Sequence, residues 1–332
     1  MRKRLPSGIK AGEVLAMISR SEIRGVLTGL AVTALVLLVG GTVWPLLPGQ
    51  PLLQTLRFHS ALLCLALAIA LAIAGSRWRA GLLALLALLS VGQGGWIIYG
   101  QQQARLAAAA RPVTRTVELV SFNILNNNTE NGPAIAGMLA ASSADVVFTL
   151  ESAPLFPELG ALAAVYPYRI GCEQELTCDL TMFSRTALED VQTLSLSNFS
   201  QQRVITARTR IGGEAVTLVA VHLTKPYFDM QSEAELSRLR DILEAVEEPA
   251  IIAGDFNAAP WSYAINRLVR GSQLQVAPFY PSTWPPEFGL LGVPIDNVFT
   301  LGNAVVESLA ALPETFGSNH RGLRARIGIT AP

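Results

Sequence analysis

Three apolar runs at about 25–44, 60–75 and 80–99, separated by short breaks, constrain this chain more than any other feature. The hydrocarbon core of a bilayer takes about 20 helical residues, with about 17 as the lower limit. Each run therefore reads as a transmembrane helix, the second at the short end. Only Arg57, Arg77 and Arg79 carry charge between residues 25 and 100. A cleaved signal peptide fits the first run poorly, because no small-residue cleavage site is evident and two further runs follow. Trp44, Trp78, Trp96 and Tyr99 fall at or near the run ends, where amphipathic rings prefer to sit. The chain is 51% hydrophobic and 15% charged, too apolar for one soluble domain; outside these runs it has ordinary globular composition.

Charge is distributed unevenly. Residues 1–111 hold 11 Lys+Arg against 2 Asp+Glu, and the rest holds 14 against 23, so a surplus of 9 precedes a deficit of 9. Arg2, Lys3, Arg4, Lys10, Arg20 and Arg24 precede the first run, which favours a cytoplasmic N-terminus. Three spans then place everything after about residue 100 outside the cytoplasmic membrane. This gives a basic segment over 1–24, the spans over 25–100, a stalk over 101–115 and one domain over 116–330. The acidity of that domain weakens a nucleic-acid reading without removing it, since nonspecific nucleic-acid binders present cationic faces. No protein partner is legible.

Cysteine use bears on the compartment. Cys64 lies in an apolar run and reads as a small buried hydrophobe. Cys172 and Cys178 suit a disulfide closing a short loop, which implies an oxidising compartment; two unpaired thiols are the alternative. A zinc site would need further partners, and the chain has only His59, His222 and His320.

From residue 116 strands and helices alternate, as in a layered α/β domain. Strands are expected at 117–122, 145–150, 180–184, 204–210, 215–222, 250–254, 295–300 and 323–329. Helices are expected at 133–141, 157–165 and 262–269, with a capping box at Ser232-Glu-Ala-Glu235 opening another. Polar residues stand at the strand ends: Asn123, Glu151, His222, Asp255 with Asn257, Asp296 and His320. Carboxylates, carboxamides and imidazoles on rigid strand ends suit a preorganised site.

Ser-Phe-Asn-Ile-Leu (121–125), Leu-Glu-Ser (150–152), Val-His-Leu (221–223), Gly-Asp-Phe-Asn (254–257), Ile-Asp-Asn-Val (295–298) and Ser-Asn-His-Arg (318–321) occur in this order. Together they resemble the endonuclease/exonuclease/phosphatase superfamily, which includes DNase I, apurinic endonucleases, inositol-phosphate phosphatases and sphingomyelinases. The resemblance implies a DNase I-like four-layer α/β sandwich, two packed β-sheets flanked by helices. It also implies that Asn123 and Glu151 hold Mg²⁺ or Mn²⁺, since hard oxygen ligands suit those ions. Asp255 would deprotonate the attacking water, helped by Asn257, which would also touch the phosphate. Asp296 would orient His320, and His320 and His222 would stabilise transition-state charge. The pattern departs once: the residue before the last histidine is commonly Asp, and here it is Asn319, a metal ligand without charge.

Each residue also has a plainer reading. His222 could be a core histidine, Asp255 and Asn257 a turn, Asp296 a turn cap and Glu151 a surface acid. Arg185 and Lys225 read as solvated charges. With three spans and an outward domain, the chain resembles the membrane-anchored VanJ-type bacterial glycopeptide-resistance proteins, which implies a polyprenyl-pyrophosphate substrate. The leading expectation is hydrolysis of a phosphoester or pyrophosphate on a lipid-linked substrate. Alternatives are a phosphodiesterase acting on nucleic acid or phospholipid head groups, and a catalytically weakened binding domain. Specificity would lie in the loops 126–132, 224–231 and 277–294.

Overall fold

The computed structural model describes residues 19–44, 47, 49–226 and 230–331; residues 1–18 of the basic segment 1–24 and residues 227–229 of one specificity loop lie outside them. The chain divides into two compact units, Met1–Leu47 with Leu56–Gly94, and Pro48–Thr55 with Gly95–Pro332. Its first helices are α1 (Arg20–Val43), α2 (Gln50–Thr55), α3 (Arg57–Ile73) and α4 (Arg77–Ala109).

The first unit is built from α1, α3 and the first part of α4. Its interior is mostly small: Ala31, Ala34, Ala61, Cys64, Ala68, Ala80 and Ala87, with Leu38, Leu71 and Leu83 between them. Large apolar side chains such as Val36, Leu62, Leu63, Ile69, Leu85 and Leu88 face outward. Small residues let helices approach closely, and large apolar side chains turned outward suit a lipid surround. Among the described residues two helices, α1 and α4, are long and apolar enough to cross a bilayer. The middle one, α3, has 17 residues and is the shorter apolar helix. Ser19 caps α1 reciprocally with Glu22, a capping box that the sequence reading passed over.

The second unit holds the strands β1 (Val113–Asn123), β2 (Val146–Leu150), β3 (Tyr168–Ile170), β4 (Leu180–Ser184), β5 (Leu188–Leu194), β6 (Val204–Ile211), β7 (Glu214–His222), β8 (Ala250–Asp255), β9 (Asp296–Leu301), β10 (Ala304–Ala311) and β11 (Leu323–Thr330). They form a six-stranded sheet ordered β10-β11-β1-β2-β4-β3 and a five-stranded sheet ordered β5-β6-β7-β8-β9. Only β1–β2 and β7–β8 pair in parallel. Side chains alternate faces along a strand, and the cores follow that alternation. Leu119, Phe148, Leu218, Ile251, Val298 and Ala325 belong to the core shared by the two sheets. On the outer face of the five-stranded sheet, Val219, Val221, Ile252 and Phe299 pack under the helices α7 (Gln231–Glu244) and α8 (Tyr263–Gly271). On the outer face of the other sheet, Val120, Phe122 and Val147 pack under α5 (Gly132–Ala141) and the one-turn α6 (Leu159–Leu162). The result is helix, sheet, sheet, helix.

Several local expectations are corrected. The helix expected at 157–165 shrinks to α6 behind a 3₁₀ turn at Ala153–Glu158, because Pro154 and Pro157 interrupt regular bonding. Ser232-Glu-Ala-Glu235 is not a capping box: α7 starts at Gln231, and Met230 precedes it without a side-chain cap. Glu235 is fully buried and instead accepts from Thr224 N, Ser197, Ser200 and Gln231. Residues 101–115 are not a separate stalk either. Helix α4 runs on to Ala109, Gln101 and Gln102 bond into the domain, and β1 starts at Val113.

Candidate active site

One edge of the sandwich gathers the site. It collects the C-terminal ends of β1, β2, β7 and β8 with the N-terminal ends of their antiparallel neighbours. Leu150 at the end of β2 pairs with Leu180 at the start of β4, Val221 pairs with Val204 at the start of β6, and Asp255 pairs with Asp296. His222 and Asp255 lie side by side on the parallel pair. Asn123, His222, Asp255 and Asp296 are in phase with Leu119, Ala220, Ala253 and Val298, residues of the inter-sheet core. The catalytic candidates therefore continue the core faces of their strands to the rim.

Local backbone geometry sharpens the placement. Gly254 has φ +147, and a Cβ there would collide with the Val221 carbonyl, so this position in Gly-Asp-Phe-Asn requires glycine. Glu151, directly after β2, and Asn257, two residues after β8, take left-handed φ values of 53° and 50°. Such conformations cost of order 1–3 kcal/mol and persist where the surroundings over-determine them, frequently at functional sites.

The side chains form one connected network. His320 Nδ1 is 2.8 Å from Asp296 Oδ2, and His320 Nε2 is 3.8 Å from Asp255 Oδ2. Asn123 Nδ2 donates to Asp255 Oδ2 and to Glu151 Oε1, each at 3.2 Å. Asn126 N–H donates to Glu151 Oε2 at 2.9 Å. Asn257 N–H donates to Asp255 Oδ1 at 2.8 Å, while its Nδ2 donates to Leu223 O at 2.8 Å. Asn257 thus acts on Asp255 through its backbone. Ser318 Oγ donates to Asn123 O and accepts from His320 N–H, tying the last motif to the first. Thr283 Oγ1 accepts from Ile295 and Asp296 N–H, anchoring the start of β9. Asn319 Oδ1 is buried without a hydrogen-bond partner among the described residues.

A second imidazole–carboxylate pair lies beside the first. His222 Nδ1 is 2.8 Å from Asp179 Oδ2, and Arg203 Nε is 3.3 Å from the same oxygen. Both Asp179 and Arg203 escaped the sequence reading. The signal was available, since each precedes a strand at this same edge, but their strands run antiparallel to the ones whose C-termini drew notice. A cleft of about 470 Å³ opens here, lined among others by Glu151, Asp179, Arg203, His222, Lys225 and Asn257. Lys225 is exposed, as expected of a solvated charge, and lies on the cleft wall. Arg185 lies elsewhere, bonded to Ala144 O and Ser142 O and stacked 5.0 Å from the Tyr166 ring. Cys178 lines the cleft and is joined to Cys172 in a disulfide.

Electrostatics separates the acids. Burial raises the Asp255 carboxyl, and the nearby Asp296 carboxylate raises it further, to about 6. Burial alone would lower His320, but the carboxylates of Asp296 and Asp255 outweigh it and raise the imidazole to about 9. Burial alone would raise Asp179, yet the His222 hydrogen bond and the charges of His222 and Arg203 hold it below its ordinary value. At neutral pH the site pairs a base with a charged donor, the separation that general acid–base chemistry needs. Asp255, Asp296 and His320 also offer ligand atoms within 4.8 Å of one another, a grouping able to hold a metal ion. Asp296 already bonds to His320, which orients the imidazole.

The two packed sheets flanked by helices form a DNase I-like sandwich. Residues 120–320 match the Endonuclease/Exonuclease/phosphatase family, and the chain belongs to it. Among solved structures, an endonuclease/exonuclease/phosphatase from Beutenbergia cavernae is similar at 19% identity and TM-score 0.53, covering 65% of this chain and 72% of that one. A humanized D. rerio TDP2 matches at 17% identity and TM-score 0.52, covering 64% and 99%. The beta toxin of Staphylococcus aureus matches at 13% identity and TM-score 0.51, covering 63% and 99%. At these identities the likeness establishes the fold alone. No curated protein matches the chain. Family membership points to hydrolysis of a phosphoester.

Proposed function

We propose that this chain is a membrane-anchored, divalent-cation-dependent phosphoesterase that hydrolyses a phosphoester or pyrophosphate bond of a lipid-linked substrate at the outer face of the cytoplasmic membrane. The observation that carries the chemistry is the position of Asp255. It is buried, 3.8 Å from the imidazole that Asp296 orients and 3.2 Å from the carboxamide shared with Glu151.

In this reading Asp255 takes the proton of the attacking water, with its second oxygen fixed by Asn257 N–H. His320 presents its Nε2–H to charge developing on the phosphoryl oxygens, while Asp296 accepts from Nδ1–H and fixes the ring's orientation. His222, held at Nδ1 by Asp179, offers its other nitrogen to the cleft. The donor types suit a hard cation: Glu151 supplies a carboxylate, Asn319 a buried oxygen with no partner among the described residues, and Asn123 a carboxamide that now turns its Nδ2 to Glu151 and its Oδ1 to Leu125 N–H and would have to turn over to offer oxygen to the ion. Such an ion would neutralise phosphate charge. The orphaned Asn319 oxygen favours a working ligand set over a degenerate binding domain.

The anchor rests on separate observations. Helices α1 and α4 satisfy length and composition for a span, and α3 lies at the short limit. Residues 48–55, between the first two apolar helices, share one compact unit with the chain after residue 95. Three crossings put those two parts on the same side, whereas two crossings would separate them. The Cys172–Cys178 disulfide agrees with an oxidising compartment. An anchored site beside a bilayer favours substrates delivered by the lipid.

A mass-resolved product screen on the purified full chain tests the reading. Inorganic phosphate released from a polyprenyl pyrophosphate supports it. Nucleotides from DNA or RNA, or choline phosphate from sphingomyelin, with the polyprenyl substrate untouched, would replace it with the phosphodiesterase reading.

A further inference from the structure

Two segments flanking the apolar helices end in the loop that follows the catalytic aspartate. Ala259 N–H donates to Thr55 Oγ1 at 2.9 Å, and Trp261 Nε1 donates to Gln54 O at 3.1 Å. Tyr263 N–H donates to Gln54 Oε1. From the other side, Gln101 Nε2 donates to Pro260 O at 2.9 Å and to Asn266 Oδ1 at 3.2 Å. Tyr280 OH in turn donates to Gln101 Oε1 at 2.7 Å. Every backbone or side-chain atom so engaged in 259–263 belongs to a stretch that begins two residues after Asn257.

The stretch is buried from Ala259 to Ser262, with Ala259 0% and Trp261 9% exposed, and Tyr263 reaches the surface. The rest of the domain holds the stretch by a Ser262 N–H to Ala259 O turn at 2.9 Å, the Ser262 cap of α8 and a Trp261–Tyr280 ring contact at 6.1 Å, but the hydrogen bond recorded for Ala259 N–H is the one to Thr55. A buried amide deprived of its acceptor carries the full desolvation penalty, so the loop would rearrange to recover a partner. The first casualty would be Asn257, whose strained backbone presents the N–H that fixes Asp255 Oδ1.

We propose that Thr55, Gln54 and Gln101, which lie next to the membrane anchor rather than in the family domain, are positioning residues of the active site. They hold the Ala259–Tyr263 stretch and through it the Asp255–Asn257 turn, so segments outside the family match help to set the turnover rate. This rests on the phosphoesterase reading above. A positional misalignment of even 1 Å at a reacting centre can cost about a hundredfold in rate.

The test uses the full chain in detergent micelles and a water-soluble aryl phosphodiester, bis(p-nitrophenyl) phosphate, so that delivery by a membrane plays no part. Thr55→Val and Gln101→Leu should each lower kcat tenfold or more with KM within twofold, and Thr55→Ser should restore kcat. Hydrogen exchange in peptides spanning 256–263 should quicken at least tenfold in Thr55→Val and stay at wild-type level in Thr55→Ser, with the sheet peptides unchanged. Wild-type kcat in both Thr55→Val and Gln101→Leu overturns the proposal, as does unchanged exchange in 256–263. A wild-type chain that turns over neither this diester nor a polyprenyl pyrophosphate refutes the functional reading instead. The exchange measurement then stands by itself, and unaltered exchange still overturns the positioning.

Discussion

Asp179 stands to His222 as Asp296 stands to His320: each carboxylate lies 2.8 Å from the Nδ1 of its imidazole. The two pairs differ in surroundings. Asp296 is buried, whereas Asp179 is partly exposed on the cleft wall and also meets Arg203. A hydrogen bond at Nδ1 fixes the tautomer, so both Nε2 atoms are committed to the same edge.

Asp179→Asn should therefore impair His222 without touching substrate. The expected loss in kcat is roughly 10- to 100-fold, the range found when a carboxylate orienting a functional histidine is removed. The Asp179→Asn/His222→Ala double variant should be little worse than His222→Ala. Additive losses in steady-state kinetics would show that Asp179 acts on its own.

Asp255→Asn keeps shape and removes the base, so kcat should fall by roughly 10²–10⁴, the usual contribution of a positioned general base. His320→Ala should be comparably severe. Adding Asp296→Asn to His320→Ala should cost little more, because residues acting as a unit are not additive. Single-turnover kinetics separates these losses from product release.

The pH profile follows from the two shifted groups. Asp255 is raised to about 6, so it is protonated below that pH and the acid limb of kcat/KM should fall there. His320 is raised to about 9, so the imidazolium survives through neutrality and the alkaline limb should fall near 9. A cation bound at the site favours the carboxylate, and increasing Mg²⁺ should move the acid limb downward. The limbs are those of a coupled pair. An acid limb that ignores Mg²⁺ between low and saturating concentration would separate Asp255 from the ion.

Activity should require Mg²⁺ or Mn²⁺ and vanish with chelator, returning on readdition. Glu151→Gln should raise the metal concentration needed for half-maximal rate while leaving the melting transition in place. Asn319→Asp adds a charge at an oxygen that has no protein partner, and should tighten metal binding or leave turnover unchanged. Loss of activity in Asn319→Asp, with metal affinity measured by calorimetry unchanged, would remove Asn319 from the ligand set.

An alkaline-phosphatase fusion after Gln103 should be active and a fluorescent-protein fusion there dark. Intact chain prepared without reductant should resist alkylation at Cys172 and Cys178, whose sulfurs are bonded, while Cys64 is free but buried. The opposite pair of fusion results would invert the topology.

The apolar runs, the alternation of the strands and the polar residues that end them were legible in the sequence because each is a local property. An α-helix in lipid needs only its own length and hydropathy, and a strand announces its buried face by a period of two. Gly254 and Asp255 were readable for the same reason, since a glycine forced against Val221 O leaves a motif in the chain. What the sequence could not carry depends on pairing between distant strands. Asp179 and Arg203 reach the site because β4 and β6 run antiparallel to β2 and β7, a fact of topology rather than of spacing. Ser232 and Glu235 satisfy the spacing of a capping box, yet the buried carboxylate is claimed by Thr224 N and the serines of a remote loop. Gln101 looked like a linker residue until the fold brought Pro260 O and Tyr280 within hydrogen-bonding distance of its carboxamide. In each case a polar group that local rules assign to solvent or to a cap finds a stronger partner in the packed interior. Burial makes that partner obligatory.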